Sequence, residues 1–266
     1  MKKIQVLNDL TYSAANSSED LFFEVASNKL LYIYLKDIEE VNNIHFEVGD
    51  NSNVQISVFA RKSIKNENLT ANVGENSRIT VYYADFAVEK NILNASINLN
   101  KNNADCEWHL ASLASSNDDK EIAVSIYHNH PNTHGRIDNY GVCKDSSKLL
   151  FAGVSHIIKG SHQSTSHQNA KIVVFDDGCK AIARPILKID ENDIEASHAA
   201  VVGKINDDVG ALRRLVKAPI DGKGAAALAV GVHAEHGLRI GIALHGRGDK
   251  IAHFAVAADN CHFYHF

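Results

Sequence analysis

The sequence predicts an all-β protein whose short strands stack as the rungs of a parallel β-helix. A turn of small polar residues followed by a short alternating strand occupies residues 48–56 and returns about 25 residues later at 73–81. A looser copy follows at 101–108, and the whole chain contains only 3 prolines, which favours uninterrupted strands. Because one rung cannot bury its apolar row alone, a repeat of roughly 20–30 residues is typical of stacked rungs. An antiparallel β-sandwich is the competing fold, since alternation does not determine strand direction.

The N-terminal residues leave the choice between helix and strand open. Ser17, Ser18, Glu19 and Asp20 precede the apolar run LFFEVASNKLLYIYL. They could cap a short helix or lead directly into a strand. We therefore predict three regions: an N-terminal flanking segment at 1–40, a β-helix core at 41–206 and an atypical C-terminal segment at 207–266.

Composition excludes several classes of function. The chain has 266 residues, an apolar fraction of 45% and a formal charge of −5, values typical of a folded protein with one large core. No run of lysine and arginine offers a surface for phosphates, so nucleic acid is not an expected partner. The N-terminus lacks the apolar centre of a signal peptide, and no apolar run approaches the roughly 20 residues of a membrane span. We expect a cytoplasmic protein without membrane contact.

Residues 139–203 carry the most informative pattern. Short apolar runs alternate there with polar breaks and show no sustained helical period, which predicts consecutive strands. The order of its residues resembles the core domain of the SufB/SufD family of iron–sulfur cluster assembly proteins, and SufD more than SufB. The residues that carry the resemblance are Tyr140-Gly141-Val142, Lys144-Asp145, Phe151 with Gly153, Gly160, Gln168-Asn169, Asp176-Asp177, Pro185 with Leu187 and Ile189, Ser197-His198-Ala199, and Val202-Gly203-Lys204-Ile205.

The resemblance implies a right-handed parallel β-helix with short flanking helical or irregular segments. It also implies a SufD-like scaffold subunit without catalytic turnover, which pairs with a SufB-like subunit and engages a SufC-like ABC ATPase. A homodimer is an alternative to the SufB-like partner. A transient iron–sulfur cluster, or iron, would be held at the subunit interface. The C-terminal segment after Asp208, rich in glycine and histidine, does not resemble the helices with which family members engage the ATPase.

Two residues are candidates for cofactor binding through the resemblance, His198 and Cys179. His198 stands where SufD-like sequences have a Cys-Ser-His triplet and SufB a His-Glu pair, but the cysteine and glutamate positions are Ala196 and Ala199 here. Ala170 likewise replaces a SufB cysteine. Cys179 matches another SufB cysteine. Imidazole and thiolate are suitable iron ligands, so these departures favour a supporting role over a SufB-like one. The plain alternative for His198 is a hydrogen-bonded residue at the end of a rung.

His128, His130 and His134 are the candidate metal ligands derived from spacing alone. Residues i and i+2 of a strand point to the same face, so His128 and His130 could bind one metal ion, with Asp138 as a further ligand. This reading gives the alternative function, a metal-dependent enzyme on a β-solenoid or cupin-like scaffold. The plain alternative is that His130 opens an ordinary turn between rungs.

The remaining motifs point to no other chemistry. The 4 cysteines are widely spaced and form no CxxC pair, so we expect buried thiols in place of a disulfide framework or a structural zinc site. His156, His162 and His167 are irregularly spaced. No nucleophile elbow, phosphate-binding loop, dinucleotide fingerprint or zinc-protease motif occurs. A single tryptophan and no secretion signal disfavour a carbohydrate-active β-helix.

Overall fold

The computed structural model describes residues 1–14, 18–36, 38, 40–60 and 66–204, together with the backbone of three strands between residues 226 and 257. The described residues form strands and the turns that join them, and contain no helix. Accordingly, this part of the chain offers no helix long and apolar enough to cross a membrane.

The chain up to residue 204 passes back and forth between two eight-stranded sheets. The first sheet contains β1 (Lys2–Val6), β3 (Leu21–Val25), β5 (Asn43–Val48), β7 (Glu67–Val73), β9 (Lys90–Leu99), β11 (Asp119–His128), β13 (Lys148–Ile157) and β15 (Lys180–Ile189). The second contains β2 (Leu10–Ser13), β4 (Leu30–Lys36), β6 (Asn53–Ala60), β8 (Arg78–Asp85), β10 (Asp105–Ala114), β12 (His134–Cys143), β14 (Ser164–Val174) and β16 (Ile194–Lys204). One strand of each sheet in succession makes one rung.

Every strand pair in these two sheets is parallel, which confirms the predicted β-helix and excludes the antiparallel sandwich. Parallel pairing arises because the chain crosses to the other sheet before it returns to pair with its own previous strand. The N-terminal apolar run, which the sequence alone did not assign to helix or strand, forms β3 and β4. The strands β1 to β4 therefore belong to the same two sheets as the strands after residue 40.

Alternate side chains of each strand point into the β-helix and form one continuous apolar core. Its largest members are stacked from rung to rung. Phe23 and Phe46 lie on neighbouring rungs with ring centroids 5.0 Å apart, and Trp108 and Phe151 are fully buried. Burying one such side chain stabilises the fold by roughly 1.5–3 kcal/mol. Stacking therefore supplies the burial of apolar side chains that a single rung cannot achieve.

The corners that follow β5, β7, β9 and β11 repeat one backbone conformation. Asn51, Asn76, Asn103 and Asn132 occupy equivalent corner positions with positive φ angles of 54°, 51°, 55° and 56°. Asparagine is one of the few residues that adopt this left-handed conformation readily. Its side chains also bond along the corner: the amide of Asn103 donates to the Oδ1 atom of Asn76 at 2.9 Å. The repeat visible at 48–56 and 73–81 in the sequence is this corner with its following strand.

One region of the core contains a buried ion pair. The Nζ atom of Lys120 lies 3.1 Å from the Oδ2 atom of Asp85, and both side chains are fully buried. Ser112 and Asn91 donate hydrogen bonds to the same carboxylate at 2.7 Å and 3.1 Å. These bonds satisfy the charges that burial has removed from water.

Glu67 is a second buried acid close to that ion pair. Its Oε2 atom accepts a 2.6 Å hydrogen bond from the hydroxyl of Tyr83. Burial raises the pKa of Glu67, the Tyr83 hydrogen bond partly opposes the rise and the charge of Asp85 adds to it, so that the net pKa is about 8. Glu67 is therefore protonated at neutral pH.

The C-terminal segment contains a separate antiparallel sheet. Its strands are β17 (Ala226–Val232), β18 (Leu238–His245) and β19 (Ile251–Ala257), in that order. β18 pairs with both neighbours in antiparallel register. This pairing distinguishes the segment from the parallel β-helix before it.

Candidate functional site

The last rung, β15 with β16, ends the β-helix among the residues that the structure describes. Each strand is the final member of its sheet, and no described strand pairs with its outer edge. The row that points inward is uncovered there. Ile189 and Val202 are 42% and 46% exposed, whereas Ile157 and Ile172, their register partners one rung earlier, are 0% and 1% exposed. An apolar row between two unpaired strand edges is a surface that another β-structure can extend.

His198 lies in this uncovered row, beside Gln168 of β14 in the sheet register, and is exposed. Gln168 reaches into the β-helix, where its amide donates to Ser155 Oγ at 2.7 Å and to the carbonyl of Ile186 at 3.0 Å. Gly153 leaves room for it, because a Cβ atom there would lie 2.7 Å from Gln168 Oε1. Hydrogen-bonding groups therefore replace the apolar core directly beneath His198.

The structure does not bring His128, His130 and His134 together. β11 ends at His128, whose buried ring packs inside the β-helix with Nδ1 2.9 Å from Thr133 Oγ1. His130 is exposed in the following turn, and His134 begins β12 on the outer surface, with Nδ1 2.8 Å from Thr165 Oγ1. The alternation argument fails here because the strand ends before His130. Over the described ranges, no group of three or more His, Cys, Asp or Glu side chains is placed to hold a metal ion.

Asp138, the further ligand considered from the sequence, belongs to a network on the outer face of the second sheet. Arg136 and Asn169 donate to its two carboxylate oxygens at 2.6 Å and 3.0 Å, and His109 Nδ1 lies 3.5 Å away. Burial alone would raise the pKa of Asp138, but the hydrogen bonds from His109, Arg136 and Asn169 outweigh burial and lower the pKa to about 2. Tyr82 stacks on His109 with ring centroids 5.1 Å apart. Asp138 is thus an ionised member of a surface network that no metal is needed to explain.

Cys179 lies at the corner that leads into β15, so it shares the last rung with His198 but at a different place. It is partly buried, and its thiol donates toward the carbonyl of Asp145 at 3.7 Å. The thiol of Cys143, the last residue of β12, lies at the same corner, 3.4 Å from the Ser147 carbonyl oxygen that accepts the N–H of Lys180. The sequence analysis missed Cys143 because the two cysteines are distant in the chain. The available signal was that both cysteines fall at corners leading from the second sheet to the first, on successive rungs.

Comparison with known proteins identifies relatives of this chain. Residues 26–209 match the family described as "SUF system FeS cluster assembly, SufBD core domain". A span of 87 residues is 32% identical to the iron–sulfur cluster assembly protein SufD of Bacillus subtilis, covering 33% of this chain and 20% of that protein. A span of 97 residues is 23% identical to iron–sulfur cluster assembly SufBD family proteins of Mycobacterium bovis and Mycobacterium tuberculosis, covering 36% of this chain and 12% of those proteins.

The aligned segments therefore represent a fifth or less of the length of these relatives. The family match is wider: it extends over most of the chain and includes β4 through β16. The parallel β-helix agrees with the architecture that the resemblance implied. The chain belongs to the SufBD core-domain family of the Suf iron–sulfur cluster assembly system.

Proposed function

We propose that the protein is a SufD-like subunit of a cytoplasmic iron–sulfur cluster assembly scaffold and has no catalytic turnover of its own. Its β-helix pairs, through the last rung, with a SufB-like subunit. The observation that carries the proposal is the uncovered inward row of the last rung, represented by Ile189 and Val202. Family membership supports the assignment to Suf assembly.

Physical chemistry favours a β-structure as the partner of this end. The outer edges of β15 and β16 present backbone N–H and C=O groups, which a second strand can pair with. The outward row of β15 adds three cations, Lys180, Arg184 and Lys188, around the exposed Ile182 and Ile186. An apolar centre with a charged rim is the usual composition of a protein interface. The cations favour a partner that is acidic at the matching positions.

We place His198 against the iron or iron–sulfur cluster that the complex assembles. A neutral imidazole is a suitable iron ligand, and His198 is exposed in the row that the partner would cover. One imidazole does not complete an iron site, so the remaining ligands come from the partner. Cys179, at another part of the same rung, is a second candidate.

We place the SufC-like ATPase on the C-terminal segment. This part of the proposal is drawn from the family's mode of assembly alone, because the family match ends at residue 209, before β17, β18 and β19. ATP-driven motion of the ATPase would reach the cargo through the stacked rungs, whose continuous apolar core makes them a stiff element.

The metal-dependent enzyme is the weaker candidate. It requires His128, His130 and His134 to converge, and they lie inside the β-helix, in a turn and on the outer surface respectively. Stoichiometric metal bound by the isolated chain and removed by His128→Ala would reverse this ranking.

A pull-down of the full chain with SufB-like and SufC-like proteins of the same organism tests the proposal, with iron and sulfide measured in the eluate. We expect a ternary complex. Val202→Lys places a charge in the uncovered row and should abolish recovery of the SufB-like partner. Leu30→Lys is the matched control, because Leu30 is 84% exposed at a distant rung and should tolerate the change.

The two parts of the proposal separate in the same experiment. His198→Ala should still assemble but lose iron and sulfide. Assembly of Val202→Lys as efficient as that of Leu30→Lys would refute pairing through the last rung. If a homodimer is recovered instead and Val202→Lys disrupts it, the last rung is still the interface, but its partner is a second copy of this chain and not a SufB-like subunit.

A further inference from the structure

Two cysteines lie where the corner after β12 stacks on the corner after β14. Cys143 is the last residue of β12 and is fully buried, and Cys179 immediately precedes β15. The Cys143 thiol lies 3.2 Å from Ser147 Oγ and 3.4 Å from the carbonyl oxygen of Ser147, which also accepts the N–H of Lys180, the residue after Cys179. Cys179 packs against the apolar core. The two cysteines therefore share the corner at which the last rung meets the body of the β-helix.

The backbone holds these two corners at a short and defined separation. The N–H of Phe175 donates to the carbonyl of Cys143, and the N–H of Lys180 donates to the carbonyl of Ser147, both at 2.9 Å. Gly178 approaches so closely that a Cβ atom there would lie 2.7 Å from the carbonyl oxygen of Asp145.

Stacked strands lie about 4.8 Å apart, within the roughly 4.4–6.8 Å between Cα atoms that a disulfide spans. Because Lys180 pairs with Lys148, Cys179 is stacked on Ser147, the residue that the Cys143 thiol contacts. Both cysteines therefore lie against Ser147, Cys143 through its thiol and Cys179 through the stacking of neighbouring corners.

The two cysteines differ in their access to solvent. Burial raises the pKa of the Cys143 thiol to about 11, and the neighbouring Cys179 adds to the rise while the bond with Ser147 opposes it. Cys179 is only partly buried. A dissolved oxidant therefore reaches Cys179 first, and Cys143 is placed to react with the product.

We propose that Cys143 and Cys179 form a reversible disulfide that fastens the last rung to the rest of the β-helix. The oxidant is a low-molecular-weight disulfide such as oxidised glutathione. The Cys179 thiolate attacks one sulfur of this molecule, its S–S bond breaks, and one glutathione leaves as a thiolate. Cys143 then releases its proton to water and attacks the Cys179 sulfur, which expels the second glutathione. Two protein thiols are oxidised while one glutathione disulfide is reduced to two thiols.

The disulfide has two consequences for the last rung. It covalently links the corner before β15 to the corner after β12, so the last rung can no longer detach from its neighbour. It also removes the Cys179 thiol from the groups that could bind iron. The first consequence does not depend on the proposed function, because the reaction uses only this chain and the oxidant; the second bears on the proposed role of Cys179.

The experiment treats the reduced full chain with oxidised glutathione, blocks free thiols with iodoacetamide, and identifies the products by intact mass and peptide mapping. We expect a mass lower by two hydrogen atoms before alkylation, and a peptide in which Cys143 and Cys179 are joined. Dithiothreitol should restore both thiols. Cys106→Ser is the control, because Cys106 is fully buried on β10 and its loss should leave the linked peptide unchanged.

Single variants report the order of the two steps. In Cys143→Ser the second step is blocked, so one glutathione should remain attached to Cys179. In Cys179→Ser, Cys143 should stay reduced. The proposal is overturned if Cys143 of the wild-type chain is found alkylated after the glutathione treatment, or if Cys179 is found joined to Cys261. The wild-type peptide map decides the question even where a variant folds poorly.

Discussion

Replacing Glu67 by glutamine should change how the stability of the protein depends on pH. Glu67 is fully buried, and its carboxyl keeps its proton until pH about 8 in the folded chain. In the unfolded chain it ionises near its ordinary pKa of 4.5. Between these values unfolding releases a proton, so rising pH favours the unfolded state. The stability due to the neutral carboxyl is complete below pH 4.5 and is lost as pH rises through about 8. Glutamine cannot ionise, yet its oxygen can still accept the Tyr83 hydroxyl.

The structure gives the size of this effect. One pKa unit corresponds to about 1.4 kcal/mol, so the interval from 4.5 to about 8 amounts to about 5 kcal/mol in full. Measured between pH 5 and pH 8.5, the gain of Glu67→Gln over wild type should rise by about 4 kcal/mol. Urea unfolding followed by the fluorescence of Trp108 measures this, because Trp108 is the single tryptophan and is fully buried.

The comparison within one pair of proteins isolates Glu67, since every other titrating group is common to both. Glu121→Gln provides the control, because Glu121 is exposed and the same exchange there removes no buried carboxyl. A Glu67→Gln difference that stays constant to about 1 kcal/mol across the range would refute a neutral buried Glu67.

Three further outcomes are expected. Lys120→Met leaves a buried carboxylate without its cation and should lower the free energy of unfolding by about 3–5 kcal/mol in urea titrations, whereas Lys180→Met at an exposed position should change it little. Trp108→Ala opens a cavity in the core and should cost about 3–5 kcal/mol, measured by circular dichroism because the fluorophore is lost. Burial lowers the pKa of His128 from 6.5 to about 4. The stability that the neutral ring contributes is therefore complete above pH 6.5 and is lost as pH falls toward 4. In unfolding experiments His128→Gln should remove up to about 3 kcal/mol of this loss of stability in acid.

The sequence predicted the corners of the fold because their chemistry is local. The left-handed positions of Asn51 and Asn76 demand a residue that tolerates positive φ, and the repeat of small polar residues records this demand directly. Residues 21–36 could not be assigned in the same way, because outward positions such as Phe22, Leu30 and Tyr32 are apolar too and hide the alternation in the sequence. A signal was available there too: Ser27-Asn28 occupies the same corner, with Asn28 at φ 60°.

The site was less predictable, because its contacts join distant residues. Alternation placed His128 and His130 on one face, but this rule applies only inside a strand, and β11 ends at His128. The placement of Cys143 and Cys179 at one corner depends on how two corners of different length stack, which no local pattern records. The position of His198 came from the family resemblance, and the structure adds the polar interior formed by Gln168 and Ser155 beneath it.

The parallel register makes the β-helix a molecular ruler. Each rung advances the structure by about 4.8 Å, so the seven steps of an eight-stranded sheet separate its first and last strands by about 34 Å. Duplication or loss of a whole rung would move the last rung by one step and leave its chemistry unaltered, because each interior rung contacts only its neighbours. A gene for this fold can thus change the reach of its docking end in fixed increments, whereas insertion of a single residue within a strand would turn an entire apolar row outward.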